Sequence, residues 1–118
     1  MSAPNKCITV SDARGLRTNW LNTRQNVIDN ALGYQDQNEI FFSVAELETF
    51  LNYVKNESAR EGITNPGIRI YLAAYNNINS NLATVFLAPT KGNTISSDNN
   101  YNIRPYNGGI GGKPPVNY

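Results

Sequence analysis

The chain has 118 residues with 10 Lys and Arg against 9 Asp and Glu, no His and one Cys. That length suits one domain with a single core, and the near-neutral balance gives no basis for a general affinity for nucleic acid or acidic membrane, which needs clustered positive charge. Without His, the Ser-His-Asp and Cys-His constellations and most zinc sites are excluded. With Cys7 alone, thiolate clusters and internal disulfides are excluded as well.

Residues 1–6 carry no pattern, and 8–10 read as a short extended piece. The terminal MSAPNKC lacks a charged-then-apolar signal, and no apolar run approaches the ~20 residues that cross a bilayer, so a soluble, cytoplasmic protein is expected. Ser11 is the expected N-cap of a first helix over about 12–32, with Asp12 where negative charge suits the helix dipole. Ala13, Leu16, Trp20, Val27 and Ala31, widened by Leu21, Ile28 and Leu32, recur at helical spacing until Gly33, a stripe broad enough to lie on a sheet. Arg14, Arg17 and Arg24 share another strip, for which a solvated face is a simpler account than an anion site.

Residues 39–42 (EIFF) read as a short strand. Ser43 and Glu46 then form a capping box ahead of Val44, Leu47, Phe50, Leu51 and Val54, the buried face of a second helix over about 44–61 that stops at Gly62. Strands at 68–75 and 82–88 follow, joined by the Asn-rich turn 76–81 as a hairpin, with Pro89 expected to end the second ladder. On the first strand Ile68, Ile70, Leu72 and Ala74 share one face, and Arg69, Tyr71, Ala73 and Tyr75 share the other. The order strand, helix, strand predicts a right-handed crossover with 39–42 parallel to 68–75. The expected fold is therefore α+β in two layers, a small mixed sheet of strands 39–42, 68–75 and 82–88 with both helices on one face.

After Pro89 the chain is dominated by Gly, Asn, Ser and Pro. Tyr101, Ile103 and Tyr106 are costly to leave in water, so packing of this arm on the sheet is expected through Tyr106. The domain is accordingly read as 1–106, and 107–118 as a flexible Gly/Pro-rich tail.

Motifs for chemistry fail on inspection. Residues 98–102 (DNNYN) imitate the opening of a calcium loop, but Ile103 replaces the required Gly and Gly109 the bidentate Glu. Gly111-Gly112-Lys113 lacks the first Gly of a phosphate loop, and Pro114 stands where Ser or Thr would hold magnesium. Cys7 has only Lys6 beside it to lower its pKa. Glu57 and Glu61 share a helix face but read as solvated, and Asn56-Glu57-Ser58 lies within a helix. No catalytic residue, metal site or cofactor is assigned. The expectation leans away from an enzyme.

What remains is the second sheet face, where Arg69, Tyr71 and Tyr75 project and the arm brings Arg104 and Tyr106 nearby. Arg and Tyr dominate protein-binding hot spots. The competing account is that these side chains hold the arm down, with Arg69 snorkelling to water. The leading functional expectation is a small non-enzymatic binding or interaction module that uses this face and tail, its partner a protein or a second copy. The alternatives are a self-assembling structural subunit, or a small-molecule-binding protein or enzyme with a pocket between sheet and tail.

The segments FFSVAELETFLNYV, GIRIYLAAY, TVFLAPT and GGIGGKPPVNY together resemble a group of small, functionally uncharacterised bacterial proteins over roughly residues 8–115. The resemblance implies the layout above and a bacterial source. It carries over no activity and no functional residue.

Overall fold

Residues 1–112 and 115–118 are described by the computed structural model, in which two helical segments and two short antiparallel sheets form an α+β arrangement. The first helix starts two residues earlier than its sequence suggests. Thr9 Oγ1 accepts the Asp12 N–H at 3.0 Å, so the stretch expected as an extended piece supplies the cap of α1, Val10–Trp20. The helix widens into a π turn, Leu21–Gln25, and continues as α2, Asn26–Leu32. It ends at Gly33, whose φ of +82° is the left-handed conformation that glycine adopts without steric penalty.

The π turn changes which side chains face inward. One inserted residue rotates all that follows by about 100°, so a stripe that is continuous in an α-helix is split. Trp20, Leu21 and Ile28 are half-buried, whereas Leu16, Val27 and Leu32 are exposed. Gln25 takes the inward position instead and is 6% exposed. Its amide nitrogen donates to Asp29 Oδ1 (2.9 Å) and the Asp36 carbonyl (3.1 Å), and its oxygen accepts from Trp20 Nε1 (3.1 Å) and Asn38 Nδ2 (2.8 Å). All four of its hydrogen-bonding capacities are met, as burial of an amide requires. Asp36 Oδ1 in turn accepts the Ala83 N–H at 2.7 Å and ties this unit to the hairpin.

Helix α3, Val44–Arg60, starts where the sequence places it, with Ser43 Oγ accepting the Glu46 N–H at 3.0 Å, but among the described residues the Glu46 carboxylate accepts from the Tyr106 hydroxyl rather than closing the reciprocal half of the capping box. It ends in a Schellman arrangement: the Ile63 N–H reaches the Ser58 carbonyl (2.9 Å), the Gly62 N–H reaches the Ala59 carbonyl (3.0 Å), and Gly62 has φ +75°. The hairpin pairs β2, Gly67–Ala74, with β3, Ala83–Thr90, from Gly67 opposite Thr90 to Ala74 opposite Ala83. Asn77 Oδ1 accepts from the N–H groups of Asn79 and Ser80 and fixes the connecting turn. Pro89 does not end the ladder. It stands opposite Ile68 at a position whose backbone points away from β2, so no hydrogen bond with β2 is lost.

The mixed sheet expected from the order of elements does not form. The segment 39–42 shortens to β1, Ile40–Phe41, which pairs antiparallel with β4, Ile110–Gly111, rather than parallel with β2. Two residues give little ladder to compete for a place beside an eight-residue hairpin strand. Glycine favours the alternative pairing: a Cβ on Gly109 would collide with Ile40 and Phe42, and one on Gly111 with Gln37. Composition pointed to 107–118 as a flexible tail, yet this segment carries β4. Its Lys113 and Pro114 lie outside the described residues.

The core is small. Phe50 and Val54 of α3, Leu87 of β3 and Ile103 of the C-terminal arm are buried together, with Phe42, Leu47, Ile68, Val85 and Tyr106 packed around them. The radius of gyration is 16.6 Å, against about 13–14 Å for a compact domain of this length. The difference is visible as apolar surface left open on α1, α2 and the outer side of β2. Among the described residues no helix is long and apolar enough to cross a membrane.

Candidate functional site

Arg69, Tyr71 and Tyr75 leave the hairpin on one face, as their alternation dictates, and meet the arm that follows β3. Arg69 Nη1 donates to Asn99 Oδ1 (2.6 Å), and its Nη2 donates to the carbonyls of Ile95 (2.8 Å) and Ser97 (3.0 Å). Tyr71 stacks on Phe86 at 5.1 Å, and its hydroxyl accepts from Asn99 Nδ2 at 2.7 Å. That donation, with a smaller contribution from Arg69, holds the Tyr71 phenol below its ordinary pKa. Tyr75 donates to Asn107 Oδ1 at 2.8 Å. These three side chains fasten the arm.

Arg104 and Tyr106 lie elsewhere, so the five candidate residues form two groups. Tyr106 exchanges backbone hydrogen bonds with Leu87 (2.9 and 3.0 Å) and thereby closes the outer edge of β3. Its ring stacks on Phe50 at 5.2 Å, and its hydroxyl donates to Glu46 Oε2 at 2.9 Å, which raises the phenol pKa because ionisation would break that bond and set two negative charges together. The Arg104 N–H reaches the Tyr53 hydroxyl at 3.3 Å. Its guanidinium, in contrast to that of Arg69, has no hydrogen bond or ion pair among the described residues.

Between α3 and this part of the arm runs an open groove of about 620 Å³. One wall is built by helical spacing: Ala45, Thr49 and Tyr53 stack at intervals of four, with Glu46 and Phe50 beside them. Arg104, Pro105 and Tyr106 make the other wall, and Pro105 stiffens it. An aromatic, largely apolar channel results, with the Arg104 cation at one side and the Glu46 carboxylate at the other. Tyr53 and Thr49 were not singled out in the sequence. The available signal was an aromatic three residues from Phe50 and just off the apolar stripe.

Other candidates have structural roles. Glu61 accepts from Asn100 Nδ2 and Asn102 Nδ2, both at 2.9 Å, and these bonds hold its carboxyl below the usual range. The asparagines of the calcium-like stretch are thus bound to Arg69, Tyr71 and Glu61. Within the arginine strip, Arg17 donates to the Asn38 carbonyl (3.1 Å) and Arg14 to that of Tyr118 (3.4 Å). No cluster of three or more His, Cys, Asp or Glu able to hold a metal occurs among the described residues. Comparison of the chain with protein-family models, curated proteins and solved structures finds no match.

Proposed function

We propose that the protein is a small non-enzymatic interaction module whose groove between α3 and residues 104–106 takes an extended peptide with an apolar side chain beside an acidic one. The observation that carries this reading is the Arg104 guanidinium, unpaired among the described residues, in a groove lined by Phe50, Tyr53 and Tyr106. Aromatic groups concentrate binding energy because they bury large area with few rotors, and Arg because its planar guanidinium offers directional donors. The Arg69, Tyr71 and Tyr75 group serves the site indirectly, by holding the arm that forms one wall.

Fluorescence polarisation with labelled extended peptides tests it, one set with an aliphatic residue next to Asp or Glu and a matched set with Lys at that position. The acidic set binds the unaltered protein, Arg104→Glu inverts the preference, and Thr49→Trp blocks both sets by filling the groove. Failure of the unaltered protein to discriminate between the sets would overturn the assignment.

A further inference from the structure

The two edges of the hairpin are treated differently. The outer edge of β3 is closed by the arm, through Tyr106 on Leu87, the Asn99 bridge to Thr90 and the Asn100 N–H on the Pro89 carbonyl (2.9 Å). Among the described residues, no strand meets the outer edge of β2. The Tyr75 N–H donates to the Leu82 carbonyl, which sets the phase of the ladder: odd-numbered residues of β2 bond to β3, while Ile68, Ile70, Leu72 and Ala74 direct their N–H and C=O groups outward. Two of these carry large apolar side chains into solvent, Ile70 at 63% and Leu72 at 83% exposure.

Exposed edges are ordinarily guarded by Lys, Pro, a bulge or an inward-pointing charge. Between Gly67 and Ala74 there is no Lys and no Pro, and the pairing with β3 runs without a bulge. The strand's one charge, Arg69, is folded onto the opposite face by its three hydrogen bonds to the arm.

We propose that this edge pairs with the same edge of a second copy of the chain, antiparallel about a twofold axis at Tyr71, to make a four-stranded sheet. Self-pairing is favoured because one register satisfies the whole edge. With Ile70 opposite Leu72 of the partner subunit, Ile68 falls opposite Ala74 of the partner subunit, and all four outward residues find one another. The same register sets Arg69 opposite Ala73 of the partner subunit, so the two cations stay apart. Displacing it by two residues brings Pro66 or the Asn-rich turn into the ladder. About eight backbone hydrogen bonds form, and Ile70 and Leu72 leave water. The inference is independent of the peptide groove, which lies at the β3 edge.

The test uses the full chain in a Cys7→Ser background, since Cys7 is exposed. Sedimentation or light scattering over a wide concentration range reads the mass. Leu72→Lys, at a site exposed enough to leave the core intact by circular dichroism, weakens self-association by about tenfold or more, whereas Tyr101→Lys, in the arm along the opposite β3 edge, does not. A mixture of Ile70→Cys and Leu72→Cys proteins forms intersubunit disulfides, because opposed Cα atoms lie about 5.5 Å apart, while neither protein does so alone. Three results would each overturn the proposal: a one-copy mass at every concentration, which leaves the edge to a foreign strand; dimers indifferent to Leu72→Lys; or equal cross-linking by a single variant.

Discussion

The arm beyond β3 is joined to the core through Ile103, and this makes a sharp stability prediction. Ile103 is 2% exposed and packs with Phe50, Val54 and Leu87. Ile103→Ala removes three buried carbons, about 2.4 kcal/mol of transfer free energy at ~0.8 per methylene, and the residual cavity raises the cost to about 3 kcal/mol. An unfolding entropy of about 0.25 kcal/mol/K for a chain of this size converts that to a fall in Tm of about 12 °C. Ile95→Ala and Tyr101→Ala lie in the same arm at 96% and 90% exposure and should stay within about 0.5 kcal/mol of the unaltered protein. Thermal denaturation gives the Tm values. Hydrogen exchange at the Leu87 and Tyr106 amides, which are bonded across the arm, shows whether the arm loosens with the core. A Tm fall of under about 2 °C for Ile103→Ala, or equal falls for all three variants, would refute docking of the arm through this residue.

Gln25→Ala should cost about 2 kcal/mol, because Trp20 Nε1 and Asn38 Nδ2 lose their acceptor in a half-buried site. Denaturant midpoints measure the loss, and emission from Trp20, the chain's one Trp, should shift to the red. Acid should weaken the protein through Glu61. Its folded pKa lies below the ordinary 4.5, so the stabilisation is complete above that value and disappears as pH falls through the folded pKa. Glu61→Gln should flatten the dependence of Tm on pH in that range, and an unchanged acid limb would show that other carboxylates govern it.

Local signals in this sequence are read by local physics, and there the sequence is legible. The Ser43 N-cap, the stops at Gly33 and Gly62, and the alternation of the hairpin specify elements that need only a few neighbouring residues to form. Pairings between distant segments follow a different logic. Nothing near Ile40 indicates that its partner is Gly111, because the room for that pairing comes from Gly109, whose missing side chain admits Ile40 and Phe42 from some 70 residues away. The π turn is similarly hidden: an apolar stripe with Leu21 beside Trp20 fits an uninterrupted helix, and two of the four partners that let Gln25 turn inward, Asp36 and Asn38, are brought in by the fold. Arg69, Tyr71, Tyr75, Arg104 and Tyr106 were identifiable as an Arg/Tyr set but not divisible by sequence, since Arg69 and Arg104 are alike in type and differ only in what the arm offers them.

The contrast between those two arginines follows from the asparagines around them. Asn99 presents an acceptor to Arg69 and a donor to Tyr71 at once, which a carboxylate could not do, and Asn100 and Asn102 both donate to Glu61. A chain poor in charge thus holds its arm with amides, which fix direction with little salt sensitivity. Once the arm is held, its outer stretch at residues 104–106 is presented rigidly against α3, and among the described residues the Arg104 guanidinium, unlike that of Arg69, meets no asparagine. At the other edge the same economy of charge leaves β2 without a Lys to repel a neighbour. Among the described residues the groove thus keeps the Arg104 guanidinium free for a ligand, while the β2 edge has no Lys or Pro to turn a neighbouring strand away.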